Sequence, residues 1–408
     1  MRNTLRYNYR LKPTAEQEVK LVEFGAYARG VWNLLLSENM RRYRYDKTFL
    51  FYNEMASLIK DLKMFDEFSW LKDFDSAASQ QVARDLETAL KNSFNKGRLQ
   101  KFPTFKVSFK QKKLHDDSYR SVNTNENIRL ENNGITIPKI GTVKIALHRK
   151  LKSKIKSATF KMRHGKWYVS LTQKVECKSK KQVLSTLVGY DINSQYTVVG
   201  SNGLYVENPK VFKKSSTKLK QIQVQLSRRK KGSNRWHKTK SRLNKIHGKI
   251  SSQRLAFAHE VSCSIAKSSD IIVFEDLNVK GMQQFNGQMV NDNVMGMITE
   301  LTRYKAELNG VFYHEIGRFV KSSGICYGCK YEHKFDLSVR EFSCESCGLV
   351  QCRDLAAAKS VADTGEKELI ANGILARALP KFQQKSSSKM KVFEQSKFGV
   401  GSEKKEAA

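Results

Sequence analysis

Four cysteines in two C-x-x-C pairs, Cys326/Cys329 and Cys344/Cys347, are the residues whose type and spacing speak most directly of chemistry. Each pair puts two thiolates on one tight turn, and two such knuckles make the tetrahedral four-sulfur cage that Zn2+ prefers. Gly328 and Gly348 fit the same reading, because a knuckle folds the chain back sharply and a residue without Cβ tolerates the positive φ that such turns use. Two disulfides, or four unrelated buried thiols, are the alternatives. No secretory leader is expected, and in a chain expected to stay inside the cell this thiol pattern weighs toward metal.

A second set of candidates is acidic. R-D-L-A-A-A, directly after the second knuckle, puts Asp354 in the first turn of a helix, where an acid answers the helix dipole and by itself needs no other job. It gains meaning only beside other carboxylates. Leu187 to Ile192 reads as a buried strand carrying one acid, Asp191, with Tyr196 to Val199 as its partner strand. A lone charge in an apolar β run is costly unless it is paired or binds a metal. Ile271 to Phe274 is a second buried strand, and it ends on Glu275. Two strands ending on acids, and a helix beginning with one after a zinc ribbon, match the pattern of a ribonuclease H-like core. There, converging carboxylates hold two Mg2+ ions that activate a water and stabilise the leaving oxygen of a phosphodiester.

The elements that must position these residues follow from the rest of the chain. At 408 residues with 40% hydrophobic content, it is an α/β multidomain protein of two to four domains. Lys+Arg 74 against Asp+Glu 39 gives a net charge of +35, well beyond what solubility needs, and nucleic acid is the polyanion expected to neutralise it. No apolar run reaches the roughly eighteen residues that begin to span a bilayer, so no membrane partner is expected and the location is expected to be cytoplasmic.

Thr4 to Leu11 alternates as a short strand ending before Pro13, and Thr14 with Glu16 and Gln17 starts a helix in which Gly25 and Gly30 are possible breaks. The pattern stays helical from Tyr52 to Leu99, with an apolar stripe of Ala78, Val82, Leu86, Ala89, Leu90 and Phe94. From Phe102 the texture alternates, with turns at Asn133-Gly134 and His164-Gly165, and predicts a β-barrel-like module. Asn208 to His259 holds no acid and predicts two basic helices joined near Gly232; Arg228, Arg229, Lys230, Lys231 and Arg235 at that joint are candidate phosphate contacts.

These motifs together resemble the TnpB family, the transposon-encoded RNA-guided DNA nucleases related to type V CRISPR effectors. The resemblance runs in order through F-G-A-Y-A-R-G-V-W-N, Q-Q-V-A-R-D-L-E-T-A-L-K-N-S-F, F-P-T-F-K, I-P-K-I-G, L-S-R-R-K-K-G-S-N-R, V-F-E-D-L, the double C-x-x-C and R-D-L-A-A-A. It implies a ribonuclease H-like (RuvC) core with an inserted zinc ribbon, and an N-terminal helical bundle inserted in a β-barrel wedge module. Residues 1–12 would be the first wedge strand, 13–101 the helical recognition domain and 102–180 the wedge barrel. The RuvC-like domain would span 181–320 with a basic helical insertion at 209–260, then the ribbon 321–350, the last RuvC helix 351–365 and a largely disordered tail 366–408. Asp191, Glu275 and Asp354 would be the catalytic acids holding two Mg2+, and the four cysteines would hold one structural Zn2+. The partners would be a guide RNA from the transposon end and double-stranded target DNA.

The chain departs from the family pattern beside its acids. Asn193 stands where Gly-x-Asp-x-Gly has its second glycine, and Asn is the residue that best replaces glycine at positive φ. Cys352 and Ala356 replace polar residues of Asp-Arg-Asp-x-Asn-Ala-Ala. Two functions therefore stand: a guided DNA endonuclease, and a guided DNA-binding protein of impaired catalysis acting as a repressor. A DNA-strand transposase fits less well, since no His-x-His with a Tyr nucleophile is evident.

Overall fold

The computed structural model describes residues 2–93, 108–110, 118–132, 134–179, 183–193, 196–278, 281, 284, 294–318, 320–334, 336, 339–379 and 391–392. Phe94, the F-P-T-F-K run, Asn133 and most of the expected tail lie outside them. The chain divides into two compact units, Arg2–Glu176 and Cys177–Ala408.

In the first unit the alternating N-terminal run forms a long strand, β1 (Arg2–Lys12), central to a seven-stranded antiparallel sheet of order β2-β6-β7-β1-β5-β4-β3. The strands are β2 Ser118–Val122, β3 Arg129–Glu131, β4 Gly134–Ile137, β5 Gly141–Ala146, β6 Ile155–Arg163 and β7 Lys166–Glu176. His164 (φ 53°) and Gly165 (φ 73°) both take the left-handed conformation of a two-residue hairpin between β6 and β7, as a His-Gly pair between alternating runs predicts. The expected barrel is, among the described residues, a sheet with β2 and β3 at its edges and no pairing between them.

Thr14 and Gln17 form a reciprocal capping box that opens α1 (Ala15–Asp46). Of the possible breaks at Gly25 and Gly30 neither is used, and the helix runs unbroken through both. Gly30 is there for packing: a Cβ would stand 3.0 Å from the indole of Trp70. The stretch from Tyr52 is helical as expected as far as Ser93, in α2 (Tyr52–Leu62), the short α3 (Trp70–Asp73) and α4 (Ser76–Ser93), with residues 94–99 outside the described ones. Asp75 caps α4 through the Ala77 N–H and accepts from the Ser121 hydroxyl, tying helix to sheet. Phe24 meets Phe74 at 5.3 Å and Tyr119 at 5.4 Å, both edge-on, and Tyr119 stacks on Phe160 of β6, so one aromatic core joins the helices to the sheet.

The second unit is a three-layer α/β/α arrangement. Its sheet is built from β8 (Leu187–Asp191), β9 (Tyr196–Gly200), β10 (Leu204–Glu207), β11 (Ile271–Glu275) and β12 (Phe312–Ile316), in the order β12-β11-β8-β9-β10. β8, β9 and β10 form an antiparallel meander, and β11 lies parallel to both β8 and β12. β13 (Glu341–Ser343) and β14 (Val350–Cys352) pair antiparallel in a separate small ribbon, and β15 (Lys391–Val392) lies beside β10. Alternation along β11 splits the core in two. Ile272 and Phe274 pack with α6 (Asn234–Ile265) and α7 (Met295–Asn309); Ile271 and Val273 pack on the other face with Val361 of α8 (Arg353–Ala371). α5 (Val211–Ser227) and α6 are the two basic helices, and Gly232 turns between them at φ 87°.

The last helix does not stop at 365. It continues to Ala371, and Leu369 and Leu375 are buried with Val361, so the start of the expected tail belongs to the core. No described helix is long and apolar enough to cross a membrane.

Candidate active site and metal centre

Asp191 and Glu275 are the last residues of neighbouring parallel strands, each one step beyond the paired Tyr190 and Phe274, so both carboxylates leave the sheet at the same end. α8 brings the third acid because its small residues let it lie close. A Cβ on Gly189 of β8 would come within 2.4 Å of the Ala362 nitrogen, and Ala356, Ala357 and Ala358 are buried. The run read as strong helix formers is therefore also a packing face, and it leaves Asp354 buried at the start of the helix.

The three acids share one field. Burial pushes the Asp191 carboxyl up to about 7; the Asn193 hydrogen bond pulls it down, while the Glu275 and Asp354 charges push it further up. Burial also raises Glu275, against a hydrogen bond from Ser322, and raises Asp354, against the charges of Arg340 and Arg353. Arg340 Nη1 lies 3.6 Å from Asp354 Oδ1. Neither Arg340 nor Ser322 was foreseeable as a neighbour of the acids, because each is brought there only by tertiary folding.

Asn193 does not take the left-handed conformation expected of a glycine substitute. Its carboxamide donates to Asp191 Oδ2 (3.0 Å) and accepts the Tyr196 N–H (2.8 Å), bridging the first acid to the next strand. The acids fit hard cations: the donors are carboxylate oxygens, and Glu275 Oε1 is buried with no hydrogen-bond partner. Among the described residues the four cysteines bring their ligand atoms within 4.8 Å of one another.

The cysteines form one cage. Cys326 Sγ is 3.7 Å from Cys347 Sγ, and Cys329 Sγ is 3.5 Å from Cys344 Sγ; no disulfide joins them. Tetrahedral thiolates about 2.3 Å from zinc stand about 3.8 Å apart, so the spacing fits the ion. The knuckles share a backbone pattern: Lys330 N–H donates to Cys326 O, and Gly348 N–H to Cys344 O. The left-handed residues are Lys330 (φ 65°) and Gly348 (φ 70°), which corrects the role expected of Gly328. Gly328 is instead a close-packing position, where a Cβ would stand 3.2 Å from Leu349 Cδ2. Buried His333 places Nε2 3.4 Å from Cys344 Sγ.

The ribbon grips the helix that carries Asp354. Lys359 of α8 sits 3.7 Å over the Tyr327 ring, Lys330 pairs with Asp363, and Arg353 N–H donates to Arg340 O (2.8 Å), while Tyr327 N–H donates to Gln351 Oε1 of β14, the strand that leads into the helix.

At the α5–α6 joint, Arg228, Lys230, Lys231 and Arg235 are exposed. Arg229 is turned to structural use: its guanidinium donates to Arg235 O (2.6 Å) and to the Thr239 hydroxyl.

Residues 170–286 match a family described as a probable transposase, 296–361 a Cas12f1-like TNB domain, and 1–48 a helix-turn-helix domain. The putative RNA-guided DNA endonuclease InsQ of Escherichia coli K12 is 31% identical over 286 residues, 70% of this chain and 69% of that protein. A putative RNA-guided DNA endonuclease of Streptomyces pristinaespiralis is 28% identical over 367 residues, 88% of this chain and 89% of that one. In fold, the chain is similar to the protein of a Cas12f1–sgRNA–target DNA complex, with a TM-score of 0.50 at 11% identity over 88% of this chain and 99% of that one. With a relative above 30% identity covered over more than two thirds of its length, the chain belongs to the transposon-encoded TnpB family.

Proposed function

We propose that this chain is a transposon-associated RNA-guided DNA endonuclease that cleaves double-stranded DNA beside a short target-adjacent motif by two-metal phosphodiester hydrolysis. The observation that carries the reading is the electrostatic meeting of Asp191, Glu275 and Asp354, from two adjacent strand ends and one helix start. The sheet order supports it, since an antiparallel meander extended by two strands parallel to its first is the ribonuclease H-like arrangement of a RuvC core. The names of the relatives support the substrate.

In this reading Asp191, Glu275 and Asp354 hold two Mg2+ ions. When bound, the ions activate a water and stabilise the leaving oxygen. The chain's own residues prepare that site. Asn193 fixes the Asp191 carboxylate and favours its charged form, Ser322 does the same for Glu275, and Arg340 and Arg353 offset the charge of Asp354. The four cysteines hold one structural Zn2+, and the basic joint at Arg228, Lys230, Lys231 and Arg235 contacts phosphate. Residues 13–101 serve as the recognition module, 1–12 with 102–180 as the wedge, 181–320 as the RuvC-like domain, 321–350 as the ribbon and 351 onward as its last helix. A guide RNA from the transposon end and the target duplex are the partners.

The test is cleavage. Protein carrying its RNA should cut a matched duplex in Mg2+, and should not cut in a chelator or as Asp191→Ala. Tight guide-dependent binding without cutting in Mg2+ or Mn2+ would decide for the repressor instead.

A further inference from the structure

α1 presents Ser37, Met40, Arg41, Arg44 and Tyr45 at helical spacing along one wall of an open depression of about 570 Å3, and Phe109 forms the facing wall. Its volume is that of a ligand pocket, roughly 300–1,000 Å3. Tyr45 is 91% exposed and Phe109 49% exposed, although each is an aromatic side chain that burial would stabilise.

Phe109 is held in this position from both sides. Trp32 Nε1 donates to Ser108 O (3.2 Å), Asn33 both donates to Lys110 O (3.0 Å) and accepts the Lys110 N–H (2.8 Å), and Lys110 Nζ sits 3.7 Å over the Trp32 ring. The backbone on either side of Phe109 is thus clamped to α1 one turn before the depression, while the ring itself stays half in solvent. Arg41 and Arg44 stand beside the rings with two acids nearby, Glu38 and Asp46. Arg44 is exposed and makes no hydrogen bond or ion pair among the described residues, while Arg41 takes two hydrogen bonds of 2.8 and 2.6 Å to Glu38 and also feels the charge of Asp46.

We propose that this depression binds one unpaired nucleotide of a single-stranded nucleic acid, with its base stacked on Tyr45 and Phe109 and its phosphate on Arg44. Two aromatic faces with an uncompensated guanidinium are the means by which proteins hold unstacked bases without reading a paired edge, and the high net charge of the chain favours a polyanion over an apolar peptide. The proposal goes beyond the nuclease reading and does not draw on the acids. It is tested by binding rather than cutting, so the two fail separately.

The experiment uses full-length protein freed of nucleic acid at high salt, with labelled single-stranded RNA, single-stranded DNA of the same sequence, and the blunt DNA duplex. Tyr45→Ala and Phe109→Ala should each weaken single-strand binding about five- to a hundredfold, with duplex binding unchanged, and Tyr45→Trp should restore it. Arg44→Gln should lower the slope of log K against log salt by roughly 0.7. A loss confined to RNA identifies a guide nucleotide as the occupant, and a loss confined to DNA identifies a target-strand nucleotide. Wild-type affinity of both alanine variants for both single strands, at wild-type melting temperature, would overturn the proposal, as would equal weakening of duplex binding.

Discussion

Gly189 of β8 lies directly against Ala362 of α8: a Cβ on this glycine would stand 2.4 Å from the Ala362 nitrogen and 2.6 Å from Ala358 O. Gly365 repeats the relationship one strand over, where a Cβ would stand 2.5 Å from Val273 Cγ1. The helix is seated on the sheet almost backbone to backbone, and that seating brings Asp354 to the end of β8.

Gly189→Ala should therefore push α8 outward. The cost of such overpacking is about 1–3 kcal/mol, read as a lower melting temperature, and a displacement of about 1 Å at Asp354 can cost on the order of a hundredfold in cleavage rate. RNA binding should be retained. A variant that melts and cuts like the wild type would show that the acids do not depend on this contact.

Asp191 carries a pH signature. Its carboxyl stands near 7 in the fold against 3.8 when free, so the folded chain keeps a proton that the unfolded chain releases. Its contribution to stability is full below about pH 4 and is lost as pH rises through about 7. Glu275 and Asp354 are raised in the same direction. Melting temperature in a chelator should fall from pH 5 to pH 8, Asp191→Asn should reduce that fall, and Mg2+ should restore stability chiefly at the upper end. Asn193→Ala removes a hydrogen bond that favours the ionised acid, so it should move the acidic limb of the cleavage profile upward. An unmoved limb would separate Asn193 from the chemistry.

Zinc and activity should leave together. Cys344→Ser with Cys347→Ser should abolish bound zinc and cleavage, because the ribbon grips α8 through Tyr327 against Lys359, Lys330 against Asp363 and Arg340 against Asp354. His333→Ala is the milder probe. Losing the neighbour of the Cys344 thiolate should speed zinc release to a chelator about tenfold, measured on folded protein without reference to cutting. Unchanged release would leave His333 a packing residue.

The basic joint divides by role. Replacing Arg228, Lys230 and Lys231 with Gln should lower the salt slope of nucleic-acid binding by roughly 0.7–0.9 for each phosphate that is no longer neutralised. Arg229→Gln should instead lower the melting temperature, a destabilisation of about 1 kcal/mol, because its guanidinium holds Arg235 O and Thr239. If Arg229→Gln changes only the slope, the turn does not need it.

What could be read in the sequence was what local chemistry dictates. The Thr14–Gln17 cap, the His164-Gly165 hairpin, the Gly232 turn and the strand ends at Asp191 and Glu275 depend on neighbours a few residues away. The four cysteines announce a cage by spacing alone. What escaped depends on residues distant in the chain. Gly30 resembles a helix break until Trp70 is seen against it, Arg340 has no signal linking it to Asp354, and Leu369 and Leu375 look like tail until Val361 is beside them. Asn193 looks like a damaged glycine, and its bridging carboxamide depends on the turn into β9.

The ribbon also changes what the chain between Ile316 and Arg353 costs in entropy. Without its metal this connection would act as one long loop to be closed when α8 returns to the sheet; with Cys326 and Cys329 tied to Cys344 and Cys347, the free lengths would become short. Each halving of a flexible loop recovers only about 0.6 kcal/mol, but every part of that gain acts on the segment ending at Asp354. An ion that never touches substrate would thus raise the effective concentration of the third acid at the other two.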